Sequence, residues 1–451
     1  MKEDVHVVVP EGWLSRGEAY VSGDGNQMAV FGGIPGEAVR ARVFGRQGRQ
    51  VRARAIGPAD RPHPHRVQPT CDKWGPCGGC PWMHLSPRGQ YDGHEALWTE
   101  AGRTSGIDLA PGPLHRFPGN VSDVTVHWGS SDLGYPRVGV HAREGHGLVA
   151  IPACEKVSPL LRSFMGAAAT SLRNAEMWTE GVIDSLRARE IDGQLLVAVR
   201  IPRYAPAVAD WAPMLATTLV ELRGVVMELP VEEDKAGIGW QKLYGLDHLE
   251  WSVAGMHWRV GTEEHLPRQL DAYVSLVEAS PRLLGVQPGD AVLDLGAHIG
   301  LRTAVLARAA GWAYGVETDP RAHQRAVENT AHNRVPAEFS SFSWPEAIED
   351  VTPRLAGRRP LVWIDTGRKE LGGRVVEAVT ALDPRRVALQ GSNPHALARE
   401  LAKWLARGWI FTGMERWDVD PHTPFTEGVA VLASPDQSPP EKRGPRRKIA
   451  R

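Results

Sequence analysis

Three of the four cysteines stand close together in the chain, and clustered cysteines in a large protein suggest a metal rather than disulfides. Cys71, Cys77 and Cys80 follow the spacing Cys-x5-Cys-x2-Cys, and the last two flank a pair of glycines. Cys154 completes a set of four possible sulfur ligands. Four thiolates suit either zinc or a [4Fe–4S] cluster, and spacing alone does not separate the two.

A glycine-rich loop in the carboxyl-terminal half has the composition of a cofactor site. It runs from Asp294 through Gly296 to Gly300 after an apolar run, and Glu317 ends the next apolar run. Glycines let a ligand approach the backbone, and an acid after the second strand can accept hydrogen bonds from ribose hydroxyls. A dinucleotide needs the tighter spacing G-x-G-x-x-G. These four residues therefore predict a site for S-adenosylmethionine (SAM), and a structural turn without ligand is the alternative.

The apolar periodicity divides the chain into regions that would position these residues. Short strands between glycines predict a small β-barrel over residues 1–60, and residues 61–265 have the pattern of a mixed α/β domain. Over residues 266–435 strands alternate with helices, which predicts an α/β, Rossmann-like domain with a seven-stranded sheet. Residues 436–451 are basic and proline-rich, and predict a disordered tail.

The strands of the last domain are predicted from short apolar runs. Four runs are each followed by a helical pattern, as expected for parallel strands, and two later runs with a short loop between them predict an antiparallel pair. The six runs are Ala291–Leu295, Ala313–Val316, Leu361–Ile364, Val387–Leu389, Trp409–Trp417 and Gly428–Ala433.

Charge and hydropathy restrict the partners of the 451-residue chain. Lys and Arg number 52 against 53 Asp and Glu, so nucleic-acid binding requires local patches. No signal-peptide pattern and no apolar run of about 18 residues is present, which predicts a cytoplasmic protein, a monomer without membrane contact. One arginine series follows the amino-terminal strands and could track a phosphate backbone or simply be solvated: Arg40, Arg42, Arg46, Arg49, Arg52 and Arg54.

Taken together, these motifs resemble the SAM-dependent RNA uracil-5-methyltransferases, which act on tRNA and 23S rRNA. That family combines a TRAM β-barrel, a [4Fe–4S] cluster held by C-x5-C-x2-C and a distant cysteine, an RNA-binding domain and a methyltransferase domain. The resemblance implies an iron–sulfur cluster on the four cysteines and RNA, either rRNA or tRNA, as substrate. It also implies that Gln269, in Arg268-Gln269-Leu270, contacts SAM.

The chain departs from the family at its catalytic motifs. The S-C-N-P segment reads Gly391-Ser392-Asn393-Pro394, so Ser392 stands where the nucleophilic cysteine belongs. The D-P-P-R-K segment keeps Asp365 and Arg368 without the prolines, and Glu427 matches the general base. His298 replaces a glycine of the cofactor loop, where we expect its side chain to crowd the cofactor.

The serine matters because a cysteine is partly thiolate near neutral pH, whereas a hydroxyl needs an adjacent base. Ser392 is therefore either a nucleophile or part of an ordinary helix start, in which Ser or Asn caps the helix and Pro394 occupies the first turn. Three functions follow: uracil C5 methylation through Ser392 and Glu427, methylation of an RNA atom that is already nucleophilic, or RNA binding without catalysis.

Overall fold

A computed structural model describes residues 4–23, 26–130, 136–144, 147–174, 182–230, 238–262 and 264–435. The basic tail predicted for residues 436–451 lies outside this range. In the described part of the chain no helix is long and apolar enough to cross a membrane.

The amino-terminal region is a six-stranded, mostly antiparallel sheet with strand order β1-β5-β6-β4-β3-β2. Its small core consists of Val30, Val39, Ala41 and Ala53. The two-residue β2 and strand β1 lie at opposite edges, so among the described residues backbone pairing does not close the predicted barrel. The strands are β1 (Val5–Val8), β2 (Gly12–Trp13), β3 (Ala19–Gly23), β4 (Asn26–Phe31), β5 (Val39–Gln47) and β6 (Gln50–Pro58).

The central region contains a seven-stranded sheet of order β10-β9-β8-β11-β12-β13-β14. Helices α2 and α3 bury Phe164 and Trp211 against it, and β15 and β16 form a separate hairpin. The elements are α1 (Pro87–Thr104), β7 (Leu114–His115), β8 (Asp123–Ser130), β9 (Pro136–His141), β10 (Leu148–Val149), α2 (Pro159–Asn174), β11 (Ser185–Ile191), β12 (Gln194–Arg200), α3 (Pro206–Thr218), β13 (Leu222–Pro230), β14 (Ile238–Gly245), β15 (Leu249–Val253) and β16 (Met256–Val260).

The carboxyl-terminal region is built on a sheet of order β19-β18-β17-β20-β21-β23-β22-β7. Helices alternate with the five parallel strands, and β22 and β23 form the predicted antiparallel pair. The elements are α4 (Leu270–Leu284), β17 (Val292–Leu295), α5 (Leu301–Ala310), β18 (Ala313–Val316), α6 (Pro320–His332), β19 (Ala337–Ser340), α7 (Trp344–Val351), a 3-10 turn (Thr352–Leu355), β20 (Leu361–Asp365), α8 (Gly373–Ala381), β21 (Arg386–Gly391), α9 (Pro394–Leu405), β22 (Ile410–Asp418) and β23 (Thr426–Ala433).

This sheet has eight strands, where seven were expected from residues 266–435. The eighth is β7, which lies before the predicted boundary and pairs in parallel with β22. Helix α1 also packs here, because Trp98 and Ala101 share a core with Leu397 and Leu401 of α9. The segment of α1 and β7 thus contributes to the carboxyl-terminal core. Strand β7 was not predicted, because its two residues are too few to give a periodic pattern.

Candidate functional site

The predicted cofactor and catalytic residues meet at one edge of the carboxyl-terminal sheet. Strands β17, β18, β20 and β21 are parallel, so their carboxyl ends lie side by side. Strand β23 runs antiparallel to β21 and begins at this edge, with Gly428 opposite Gly391. The topology therefore brings Glu317, Asp365, Ser392 and Glu427 to one edge from four separate parts of the chain.

The loop after β17 needs both of its glycines. Gly296 and Gly300 have φ angles of +84° and +83°, a region that side chains disfavour. A Cβ at Gly296 would lie 3.0 Å from the Cβ of Asp365, and one at Gly300 would lie 2.9 Å from the Phe339 ring. The loop can pass this close to its neighbours only with glycine at both positions.

Asp294 holds the loop from beneath. It is fully buried, its Oδ1 accepts a hydrogen bond from Arg302 Nε at 2.8 Å, and its Oδ2 accepts one from Thr303 Oγ1 at 2.6 Å. Arg302 also donates to the Gly296 carbonyl at 2.7 Å. Both oxygens of Asp294 are thus engaged within the protein, and its place in the site is to fix the loop.

His298 lies between two carboxylates on this loop. Its backbone N–H donates to Glu317 Oε2 at 2.8 Å, and its ring Nε2 lies 3.3 Å from Asp365 Oδ2. Its φ angle of 49° is left-handed, which is uncommon for a residue with a side chain. Glu317 also accepts the N–H of Asp319 at 2.8 Å. The acid predicted to bind ribose is therefore oriented by two backbone donors.

The charges of this group act on one another. Burial lowers the pKa of His298, but its hydrogen bond to Asp365 and the charges of Asp365 and Glu317 outweigh burial and raise the pKa above its usual value. Burial raises the pKa of Asp365, but the hydrogen bond and charge of His298 and the charge of Arg302 leave it lowered. An imidazolium paired with an aspartate is the arrangement that these directions favour.

Glu427 is the most perturbed carboxyl of the edge. Burial, followed by the charge of Asp365, raises its pKa to about 8. Gln390 Nε2 donates to Glu427 Oε2 at 3.3 Å, and Gln390 Oε1 accepts from Arg302 Nη1 at 2.9 Å. A carboxyl group that titrates near neutral pH beside a cofactor loop is suited to accept a proton.

The helix start at Ser392 agrees in part with the alternative in which Ser or Asn caps an ordinary helix. Asn393 is the N-cap of α9, because its Oδ1 accepts the N–H of Ala396 at 3.3 Å. Ser392 precedes the cap, and its Oγ lies 3.4 Å from the Gly367 carbonyl, to which it donates. The capping function thus belongs to Asn393, which leaves the Ser392 hydroxyl available for another role.

A small cavity of about 160 Å³ opens at Ser392; we call it the Ser392 pocket. The guanidinium of Arg368 lies 5.4 Å from the centre of the Phe425 ring, which forms part of its wall. Burial, followed by the charge of Arg399, lowers the pKa of His395, which also lines the pocket. The pocket is lined by Ser15, Arg16, Leu97, Arg368, Ser392, Asn393, Pro394, His395, Pro424 and Phe425.

Gln269 lies at the start of α4, as its N-cap. It is only 2% exposed, and its Oε1 accepts the N–H of Asp271 at 3.4 Å. Its Nε2 is buried and has no hydrogen-bond partner within the residues that the structure describes. A buried amide donor without a partner is costly, and a ligand oxygen would satisfy it.

The four cysteines line one cavity of about 410 Å³, which we call the cysteine cavity. All four are free thiols in the structure. Burial raises the pKa of Cys77, and it raises that of Cys80 to about 11. Over the described ranges no three His, Cys, Asp or Glu side chains are grouped as they would be around a single metal ion.

A buried ion pair joins the cysteine cavity to the segment that precedes Glu427. The Lys156 side chain is 4% exposed, its Nζ lies 2.6 Å from Asp420 Oδ1, and it donates to the Gly79 carbonyl at 3.1 Å. Trp82 N–H also donates to the carbonyl of His422 at 2.9 Å. The cysteine loop and residues 420–422 are therefore held together.

Sequence reasoning missed Arg302, Gln390, Lys156 and Asp420. Gln390 directly follows an apolar run, and Arg302 stands near the start of a mostly apolar helix. A polar residue next to an apolar run was therefore the signal that could have identified each of them. Lys156 is two residues from Cys154, which was a hint of a role beside the cysteines. Nothing in the sequence pairs Lys156 with Asp420.

Comparisons with known proteins find RNA methyltransferases along nearly the whole chain. The 23S rRNA (uracil(1939)-C(5))-methyltransferase RlmD of Alkalilimnicola ehrlichii is 28% identical over 438 residues, which cover 93% of this chain and 95% of that protein. An uncharacterized RNA methyltransferase of Streptomyces avermitilis is 28% identical over 428 residues, which cover 91% of this chain and 93% of the relative. No family model matches the chain.

A solved structure shares the fold. The tRNA (uracil-54, C5)-methyltransferase of Pyrococcus abyssi, in complex with S-adenosyl-L-homocysteine, superposes with a TM-score of 0.72 at 17% identity. The superposition covers 95% of this chain and 100% of that one. The mixed α/β methyltransferase fold expected from the sequence is confirmed.

Proposed function

We propose that this chain is a SAM-dependent RNA methyltransferase that modifies a base in structured RNA, of the kind that methylates uracil at C5. The observation that carries the proposal is the likeness to a 23S rRNA uracil-C5 methyltransferase over 93% of the chain. The site supports it, because a cofactor loop, a carboxyl with a pKa of about 8 and the Ser392 pocket lie at one sheet edge.

The residues of the loop fit SAM in chemical type. SAM supplies an electrophilic methyl group on a positively charged sulfur. Gln269 offers its unpartnered Nε2 to a ligand oxygen, Glu317 accepts hydrogen bonds from ribose hydroxyls, and Asp365 places a negative charge at the end of β20. Gly296 and Gly300 allow close approach, and Asp294 acts through Arg302 and Thr303 as a positioning residue.

His298 is expected to weaken cofactor binding. Its imidazolium places a positive charge beside Asp365, and this charge would disfavour the positively charged sulfur of SAM. We expect His298→Gly to tighten SAM binding by about three- to tenfold, as measured by calorimetry. Because the pKa of His298 is raised, the cation is lost as pH rises, so the gain should be larger near pH 6 than near pH 8.

S-adenosylhomocysteine provides the control for this prediction, because its sulfur is neutral. The substitution should change its affinity less, and with little dependence on pH. An equal gain for both ligands, or weaker SAM binding by the variant, would contradict the role assigned to the charge of His298.

In the proposed reaction, Glu427 removes the proton and Ser392 stands at the position of the nucleophile. Addition of the Ser392 oxygen to C6 of uracil, with loss of the hydroxyl proton, would move electron density onto C5, which would take the methyl group as S-adenosylhomocysteine leaves. Glu427 would then accept the C5 proton, and the electrons of that C–H bond would restore the C5–C6 double bond and expel Ser392 from C6. Ser392 is a weak nucleophile in this scheme, because its hydroxyl donates a hydrogen bond to the Gly367 carbonyl and not to a base. Arg368 lines the same pocket and can bind a uracil oxygen or a phosphate.

A second candidate is methylation of an atom that is already nucleophilic. The weak nucleophilicity of Ser392 favours it, because such a reaction needs no attack by the protein. A ring nitrogen or an exocyclic amine needs positioning and a base, which Arg368 and Glu427 could provide without a covalent adduct. RNA binding without catalysis is the third candidate.

One experiment separates the three candidates. Nucleosides from rRNA and tRNA of a deletion strain are compared with those of its parent by mass spectrometry, and purified protein is assayed for transfer of labelled methyl groups from SAM. Loss of 5-methyluridine supports the first candidate, and loss of another methylated nucleoside supports the second. An unchanged nucleoside profile without label transfer would leave only RNA binding.

The cysteine cavity is proposed to hold a [4Fe–4S] cluster on Cys71, Cys77, Cys80 and Cys154. All four line one cavity, and four cysteine thiolates are the ligand set of a [4Fe–4S] cluster. Lys156 is placed to offset the negative charge that four thiolates bring into a buried site. The six-stranded amino-terminal sheet is proposed to be the TRAM-like, RNA-binding module.

We expect Lys156→Met to release the cluster and destabilise the protein. The substitution keeps the unbranched chain of the lysine except its terminal ammonium group. It leaves Asp420 with its more distant partner Arg268, at 3.5 Å, and removes the donor to Gly79. Breaking a buried pair in this way costs about 3 kcal/mol. Iron and sulfide per chain after anaerobic purification, together with the melting temperature, should both fall.

Lys73→Met is the matched control. Lys73 lines the same cavity, but its side chain is 43% exposed and pairs with the neighbouring Asp72, which is 75% exposed. Such surface pairs contribute little, so iron content and melting should stay at wild-type values. Equal losses in both variants would show that any charge near the cysteines matters, and would contradict a specific role for Lys156.

A further inference from the structure

A turn of the amino-terminal sheet forms part of the wall of the Ser392 pocket. Between β2 and β3 the chain passes through Ser15, Arg16 and Gly17, and the first two line the pocket. The Gly17 carbonyl accepts a hydrogen bond from the buried Trp82 Nε1 at 3.1 Å. A Cβ at Gly17, whose φ angle is +87°, would lie 3.1 Å from Pro424. The turn is therefore fixed against the loop before Glu427, and Arg16 is held at the pocket.

The same two residues line a second concavity, which we call the N-terminal groove. Its volume is about 520 Å³, and it is more open than the Ser392 pocket. Ser15 and Arg16 belong to both linings, so the pocket and the groove adjoin at this turn, and we call the two together the path. The groove is lined by Leu14, Ser15, Arg16, Glu18, Gln47, Arg49, Gln50 and Arg52.

The chemistry of this path suits a polyanion with polar edges. The residues that line the Ser392 pocket include two arginines and no carboxylate, and the groove adds Arg49 and Arg52. Its one acid, Glu18, is in an ion pair with Arg143. Arg52 also lies over the Phe44 ring, at 5.1 Å from the centroid, which holds its guanidinium in place. Arginines spaced along a groove, interleaved with glutamine and serine, bind successive phosphates and base edges of a single strand.

We propose that the N-terminal groove carries the RNA strand that flanks the target nucleotide, and that Arg16 binds a phosphate where this strand leaves the Ser392 pocket. This inference rests on the proposed function, because it takes the pocket to hold the target base. It assigns to the amino-terminal sheet a defined stretch of the substrate, and to Arg16 the junction between base and strand. Arg49 and Arg52 then bind the strand farther from the target.

The test measures RNA binding separately from methyl transfer. The probe is a fluorescein-labelled single-stranded RNA of about twelve nucleotides with one central uridine, and its anisotropy is followed without SAM. Shorter versions lack the nucleotides on the 5′ side or the 3′ side of the uridine. Arg16→Ala is expected to weaken binding of the full probe about tenfold, and to lower the slope of log K against log salt by about 0.7. Arg16→Lys should recover part of the loss.

Arg46→Ala is the matched control, because Arg46 is an exposed arginine of β5 outside both linings. Because its exposed charge is screened by water and salt, Arg46→Ala should change affinity less than about twofold. The decisive result compares the two shortened probes. On the one that lacks the nucleotides bound by Arg16, wild type and Arg16→Ala should bind with equal affinity, and on the other the difference between them should remain. Arg16 is exposed, so both variants should melt at the wild-type temperature.

Equal losses from Arg16→Ala and Arg46→Ala would overturn the proposed path and indicate a diffuse electrostatic attraction. So would a loss that persists on both shortened probes, or a wild-type protein that does not bind the probe. If the expected pattern appears while no labelled methyl group reaches any RNA, the proposed enzymatic function fails and the path of the strand stands.

Discussion

Ser392→Cys is expected to raise uracil C5 methylation by on the order of a hundredfold, which corresponds to about 2.7 kcal/mol of barrier. A cysteine at this position is partly thiolate near pH 7, whereas the serine hydroxyl donates to the Gly367 carbonyl and, among the described residues, to no base. The side chain at residue 392 lies beside the pocket at the end of β21, and capping is performed by Asn393. The new thiol should therefore act without disturbing the start of α9.

Covalent trapping checks this prediction directly. With SAM and an RNA substrate that contains 5-fluorouridine, Ser392→Cys should give an adduct that survives denaturing electrophoresis, because fluorine cannot be removed as a proton. Ser15→Cys is the matched control, since Ser15 lines the same pocket from the opposite domain. An adduct in the control, or neither an adduct nor faster methylation in Ser392→Cys, would contradict the assignment of residue 392 to the nucleophile position.

The helix start at residue 392 illustrates what a sequence can and cannot decide. The segment Ser392-Asn393-Pro394 predicted a helix beginning with a Ser or Asn cap, and this is confirmed. Which of the two side chains forms the cap depends on backbone angles, which a local pattern does not define. The choice matters chemically, because a capping serine would have had its hydroxyl occupied.

The sheet edge was predictable because it follows from periodicity and topology. Each apolar run assigned to a parallel strand lies in one, and parallel strands must end at the same edge. The eighth strand, Leu114–His115, could not be predicted, because two residues carry no period and their partner Arg416–Trp417 is about 300 residues away. Pairings between distant segments depend on the assembled fold.

The buried polar network beneath the cofactor loop was also beyond sequence reasoning. Arg302 donates to Asp294, Gly296 and Gln390, three residues from two strands and a loop. The sequence predicted that Asp294 binds the cofactor, which stays a prediction, and the structure places this residue in β17. Only the geometry assigns both of its oxygens to the protein.

Glu427→Gln is expected to lower kcat for methyl transfer by on the order of 10²- to 10⁴-fold, the usual contribution of a general base. The pKa of Glu427 is raised to about 8 by burial and by the charge of Asp365, and only the carboxylate can accept a proton. The rate of the wild type should therefore rise about tenfold between pH 7 and pH 9 and then level off. Glu427→Gln should have a low kcat at every pH, without the increase between pH 7 and pH 9.

Stability provides an independent test of the same carboxyl. Its pKa is higher in the folded chain than in the unfolded one, so the protonated form stabilises the fold below about pH 4 and this contribution is lost as pH rises through about 8. Relative to wild type, Glu427→Gln should therefore melt higher at pH 9 than at pH 6. Glu415→Gln is the control, because hydrogen bonding to Arg282 lowers the pKa of Glu415. The methyl-transfer rate of Glu415→Gln should depend on pH as the wild-type rate does. A wild-type rate that does not change between pH 7 and pH 9 would contradict the role of Glu427.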